Sequence, residues 1–143
     1  MAEAPHYGAQ TKARKAALDV LFAAEQRGVG IVDLLNEQLS LGGGTVRELT
    51  RTIVHGVSEH TDEIDARISA AVSDSWTLER MPAVDRNLAR IAVFELDHSD
   101  VPASVAISEA VRLASDLSTD ESPTFLNGLL SRAAADPLKP TEN

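Results

Sequence analysis

Residues 84–96 read VDRNLARIAVFEL, and residues 101–130 read VPASVAISEAVRLASDLSTDESPTFLNGLL. In the first stretch Val84, Leu88, Ile91 and Leu96 fall near one side of a helix, and Pro82 just upstream has the fixed φ that suits a first helical turn. The spacing predicts a helix over about 82–97. The second stretch holds two more helices. Pro102 opens one that runs to about Leu117 with Ile107, Ala110, Val111 and Ala114 inward, and Ser122-Pro123 opens the last, with Phe125, Leu129, Leu130 and Ala133 inward. Ser122 reads as the cap of that last helix, with Pro123 just inside it.

Upstream, the apolar positions Val46, Leu49, Ile53, Val57, Ile64, Ile68 and Val72 keep a helical period. Thr45 with Glu48 three residues later reads as a capping box at the start of this segment. One long helix, or two nearly collinear ones, is expected over about 46–72, with Gly56 either a kink or a close-packing point. Gly42-Gly43-Gly44 separates it from a short helix carrying Ile31, Leu34, Leu35 and Leu39. A first helix carries Ala17, Leu18, Leu21, Phe22 and Glu25 and ends near Gly28. Every segment has helical spacing and none alternates as a strand would, so the fold class is all-α with six to seven helices. Residues 11–135 form one domain, flanked by tails at 1–10 and 136–143, the second broken by two prolines.

Composition limits the function classes. The 143 residues are 43% hydrophobic, enough for a packed core, and aromatics are few: Tyr7, Phe22, Trp76, Phe94 and Phe125. No stretch approaches the roughly 18 apolar residues that span a bilayer, and no apolar secretory leader opens the chain, so the cytoplasm is the expected compartment. The absence of cysteine removes disulfides and thiolate sites. A net charge of −9 opposes general nucleic-acid binding, which depends on Lys and Arg neutralising phosphates. Over residues 1–27, however, four bases face three acids, so any RNA contact is expected at the amino-terminal end.

Little chemistry is written into the chain. His55 and His60 lie five residues apart, which puts them about 140° apart around a helix, whereas two ligands at i and i+4 share a face. No metal site is expected there. The glycines at 42–44 lack the Lys of a phosphate-binding loop, and no Ser sits in a Gly-x-Ser-x-Gly elbow. Asp97 with Asp100, and Asp120 with Glu121, lie at helix ends where acids are solvated or act as caps. Neither an enzyme nor a cofactor is expected. Lys12, Arg14 and Lys15 read either as a solvated helix start or as phosphate contacts. Phe125 reads either as core or, in the first turn of its helix, as a platform for an RNA base.

Three segments carry a resemblance: residues 14–22 (RKAALDVLF), 84–96 and 101–130. Together with Gly56-Val57, Ile64-Asp65, Glu109-Ala110 and the Phe-x-Asn-Gly at 125–128, their order and spacing are similar to the NusB family over about 12–135. The resemblance implies two antiparallel helical bundles. It also implies a factor that, with the small-subunit ribosomal protein NusE, binds the boxA element of nascent RNA and helps polymerase read through terminators in ribosomal operons. By position it assigns RNA contact to Lys12, Arg14, Lys15, Phe22, Arg90, Glu121 and Phe125, and NusE contact to Asp85. The basic arm is shorter than the family's run of arginines, and some members self-associate, so a homodimer is one implied state. Two other functions stay open: a stand-alone NusB-like module for rRNA maturation, as at the amino terminus of certain rRNA methyltransferases, and a protein–protein scaffold that binds no RNA itself. A methyltransferase reaction would need a Rossmann-like domain with a Gly-rich cofactor loop, and the chain has neither.

Overall fold

The computed structural model describes residues 7–42, 45–72 and 76–136. Seven α-helices follow one another among these: α1 (Ala9–Arg27), α2 (Ile31–Ser40), α3 (Glu48–Glu59), α4 (Thr61–Ala71), α5 (Ala83–His98), α6 (Ala103–Leu117) and α7 (Ser122–Ala135). A single 3-10 turn, Leu78–Arg80, precedes α5. No strand occurs among the described residues, as the periodicity predicts, and no helix there is long and apolar enough to cross a membrane.

Local chemistry fixes most of the boundaries. Gly28 ends α1 at φ 69°, a left-handed conformation that costs glycine nothing, and its N–H donates to the carbonyls of Ala24 and Glu25. Pro82 and Pro102 stand immediately before α5 and α6, where a missing N–H removes no helical bond, and their carbonyls accept from Arg86 and Ala106. The expected capping box does not form: α3 starts at Glu48 with Arg47 in the cap position and no side-chain cap bond, too late for Thr45 to reach the first turn. Ser122 likewise is not a cap. It is the first residue of α7, behind Glu121, and its hydroxyl points inward to Asp85.

The segment 46–72 is two helices, broken at His60 (φ −121°, ψ 24°) rather than at Gly56. Gly56 is the close-packing point, because a Cβ there would overlap the Phe94 ring of α5. Part of the expected tail of residues 1–10 is described. Helix α1 begins at Ala9, and the Tyr7 hydroxyl donates to Asp116 at 2.8 Å while its ring lies under Arg112. The rest of that tail, Gly43 and Gly44, and residues 137–143 lie outside the described residues.

Helices α1, α2 and α3 pack on one another as one bundle, and α4 to α7 as a second. Helix α5 touches α1, α3, α4, α6 and α7, so it is shared by both. Leu21, Leu35 and Ile53 fill the first bundle, and Ile68, Leu126 and Leu130 the second, all essentially without solvent contact. Two buried arginines tie helices together, Arg67 within the second bundle and Arg14 between the two. Arg67 grips Asp97 through two bonds of 2.9 Å and donates to the carbonyls of Ala133 and Asp136, closing the end of α7. Arg14 plays the same part between α1 and α5, gripping Glu95.

Candidate nucleic-acid interface

Lys12, Arg14 and Lys15 do not share a face. At about 100° per residue, Arg14 lies roughly 200° from Lys12, while Lys15 lies within about 60° of it. Lys12 is accordingly exposed and Lys15 half-exposed, whereas Arg14 is buried at 5% exposure. Its Nε and Nη2 donate to Glu95 at 3.0 and 2.8 Å, and its Nη1 to Glu109 at 3.2 Å. Burial alone would lower the Arg14 pKa, but the bonds and charge of Glu95 and Glu109 outweigh it and raise the value. The position that the resemblance offers to RNA is therefore occupied by an internal ion pair. Lys15, Asp19 and Phe22 follow at i, i+4 and i+7 and form one outward stripe, in which Lys15 meets Asp19 at 3.1 Å and the Phe22 ring is 38% exposed.

Arg90 sits in a network on the solvent side of α5. Its guanidinium grips Asp65 at 2.8 and 3.1 Å and donates to Glu25 at 3.3 Å and to Asn87 at 3.1 Å. Arg86 also pairs with Glu25, and donates to the carbonyls of Leu78 and Met81, holding the 3-10 turn against α5. Burial pushes the Glu25 carboxyl up, yet hydrogen bonds from Arg86 and Asn87, with the charges of Arg86 and Arg90, leave it below its ordinary range. Arg90 lines an open cleft of about 330 Å³ between α1, α2, α3 and α5, with Leu21, Glu25, Val57 and Thr61 among its other walls.

The third cluster lies where α6 turns into α7. Asp85, from the first turn of α5, is buried and accepts from the hydroxyls of Ser118 at 2.5 Å and Ser122 at 2.8 Å. Asp85, the residue that the resemblance gives to NusE contact, has its carboxylate turned inward, where it stitches α5 to the α6–α7 turn. Beside it, Phe125 is half-buried against the core on one side, and on the other its ring meets Trp76 at 5.6 Å and 45°. Trp76 is 47% exposed. The two rings, with Pro82, Thr119, Glu121 and Asp85, line a slot of about 120 Å³, and Glu121 stands exposed at the start of α7.

This arrangement suits one planar apolar group with hydrogen-bonding edges. An unstacked base gains from aromatic faces, and a carboxylate such as Glu121 accepts from ring or amino N–H groups. Sequence reasoning missed Trp76. Its one signal is that it is the chain's single tryptophan, lying outside every periodic segment. The structure thus brings Glu121 and Phe125 together with Trp76 and aligns Lys15 with Phe22. It leaves Arg14 and Asp85 inside.

Comparison with known proteins agrees with this architecture. The sequence pattern of the NusB family matches residues 11–135. The transcription antitermination protein NusB of Nocardioides sp. is 52% identical over 123 residues, covering 85% of this chain and 90% of that one. That of Kineococcus radiotolerans is 51% identical over 127 residues, covering 88% and 93%. Among solved structures, T. maritima NusB superposes with a TM-score of 0.77 at 31% identity over 92% of this chain and 94% of that one. A NusB chain solved with NusE and double-stranded RNA shares the fold, with a TM-score of 0.75 at 24% identity over 88% and 96%. A pattern that spans nearly all the described helices, and relatives half-identical along almost their whole length, mean that the chain belongs to the NusB family.

Proposed function

We propose that this chain is a non-catalytic, cytoplasmic transcription antitermination factor that binds the boxA element of nascent ribosomal-operon RNA together with NusE and promotes read-through by RNA polymerase. The observation that carries the proposal is the slot at the start of α7: Phe125 and Glu121, two positions that the family resemblance gives to RNA, line an open aromatic cleft. Its relatives at about half identity bear the name of antitermination proteins. In this reading Trp76 and Phe125 hold a base, Glu121 meets its edge, and Lys12 and Lys15 approach phosphates, with Phe22 beside Lys15 on the same stripe of α1.

Arg14 is left out of the RNA contacts, because freeing it would strand Glu95 in the core. Two lysines, one already paired with Asp19, give a chain of net charge −9 little affinity for phosphates of its own. NusE is then the basic partner that brings the RNA in, and the acidic surface suits it electrostatically. Asp85 supports that contact only by holding the α6–α7 turn in place. Gel-shift titration of boxA RNA with the chain, with NusE and with both tests the proposal. The mixture is expected to bind most tightly; a mixture that binds no better than NusE alone refutes it.

A further inference from the structure

We propose that His60, Glu63 and His98 form a binding site for one divalent transition-metal ion of the zinc class. The three come from different places in the chain. His60 is the residue at the break between α3 and α4, Glu63 lies in the first turn of α4, and His98 is the last residue of α5. The packing of α4 on α5 brings them together, so that one nitrogen of each imidazole and one carboxylate oxygen all lie within 4.8 Å of one another.

Both imidazoles turn a nitrogen to the same carboxylate: His60 Nδ1 is 3.4 Å from Glu63 Oε1, and His98 Nε2 is 3.5 Å from Glu63 Oε2. Those separations are long for charge-assisted hydrogen bonds, which run at about 2.7–2.9 Å. They involve the two different oxygens of the carboxylate. One oxygen and both nitrogens lie within 4.8 Å, so side-chain rotation must bring them to the roughly 3.3 Å that separates neighbouring ligand atoms around a tetrahedral ion with bonds of about 2.0–2.1 Å. Two imidazoles and one carboxylate are a ligand set that zinc accepts, leaving a fourth position for water.

The rings stack at 3.9 Å and 12°, so one must turn about its Cβ–Cγ bond to bring its lone pair to the ion. The three side chains are 23–38% exposed, which leaves room for that turn. Behind them the site is firm. Phe94 lies along the His98 ring at 6.0 Å, and Gly56 lets Phe94 pack against α3. Arg67, whose charge interacts with that of Glu63, is already held by Asp97 and by two carbonyls of the α7 end. The site does not use His55, whose spacing from His60 directs it elsewhere on α3. A bound ion would clamp the α3–α4 break to the end of α5, away from the slot lined by Trp76 and Phe125.

The test is calorimetric titration of Zn²⁺ into the untagged, chelator-treated protein, with Co²⁺ absorption as a report on geometry. Wild type, His98→Ala, Glu63→Gln and His55→Ala are compared, with melting temperatures taken with and without metal. One Zn²⁺ per chain, a metal-dependent rise in Tm and a tetrahedral Co²⁺ spectrum are expected for wild type and His55→Ala. His98→Ala and Glu63→Gln are each expected to weaken binding by about tenfold or more and to lose the rise. Because these side chains are part-exposed, the metal-free variants should melt close to wild type; His60→Asn replaces either one that does not. Wild type that takes up no Zn²⁺, or variants that bind it as wild type does, would overturn the proposal.

Discussion

Arg14 and Glu95 face each other with 5% and 1% of their surfaces exposed, and Glu109 supplies a second carboxylate that also accepts from Thr11 at 2.7 Å. A buried ion pair adds little over a well-packed apolar pair, but removing one partner leaves the other charged without compensation. Arg14→Ala is therefore expected to destabilise the fold by about 3–5 kcal/mol in urea unfolding. Lys12→Ala should stay within about 0.5 kcal/mol, as surface changes do. Equal, small losses for the two would show that Arg14 is not structural. The difference between these neighbours is legible in the sequence once the 100° step is applied, because Arg14 shares its side of α1 with Leu18 and Leu21 while Lys12 and Lys15 point away. The identity of its partners is not legible there: Glu95 and Glu109 lie 81 and 95 residues further along the chain.

At the scale of elements, α3 packs on α5 at Gly56, where the Phe94 ring occupies the space a side chain would need. Helix propensity favours alanine over glycine by about 1 kcal/mol, so Gly56→Ala would stabilise if nothing stood in its way. The overlap reverses the sign, and a net loss of about 1–3 kcal/mol is expected from overpacking. Gly128 in α7 is the control. A Cβ there meets only the movable end of the Arg132 side chain at 3.4 Å, so Gly128→Ala should be neutral or stabilising by up to about 1 kcal/mol. Thermal melts of the two variants decide the point, and a stabilised Gly56→Ala would remove the close approach. Helix existence was readable from spacing and from Pro82 and Pro102. The break at His60 was hidden because Val57, Ile64 and Ile68 stay in phase across it, each buried on the same side. The Thr45–Glu48 box misled because a cap motif competes with wherever packing lets the helix begin.

At the scale of the whole molecule, α5 belongs to both bundles, and every cluster described above is anchored on it or on the turns beside it. Asp85 holds the α6–α7 turn from the first turn of α5, Arg90 and Arg86 fix the cleft at its middle, and His98 ends it. Family membership and fold were readable from the segments 84–96 and 101–130. The slot was only half readable. Glu121 and Phe125 stand in one recognisable stretch, but Trp76 reaches them from a different part of the chain, and no periodicity marks it. Phe125 has one side on the core and the other in the slot. The most direct test is the affinity of boxA RNA for the chain plus NusE, measured for wild type and for folded Phe125→Ala with the melting temperature taken alongside. Loss of a stacking platform predicts binding weaker by about tenfold to a hundredfold, with a stability loss below the roughly 3–5 kcal/mol of a fully buried Phe. Wild-type affinity in a folded Phe125→Ala protein would contradict the account.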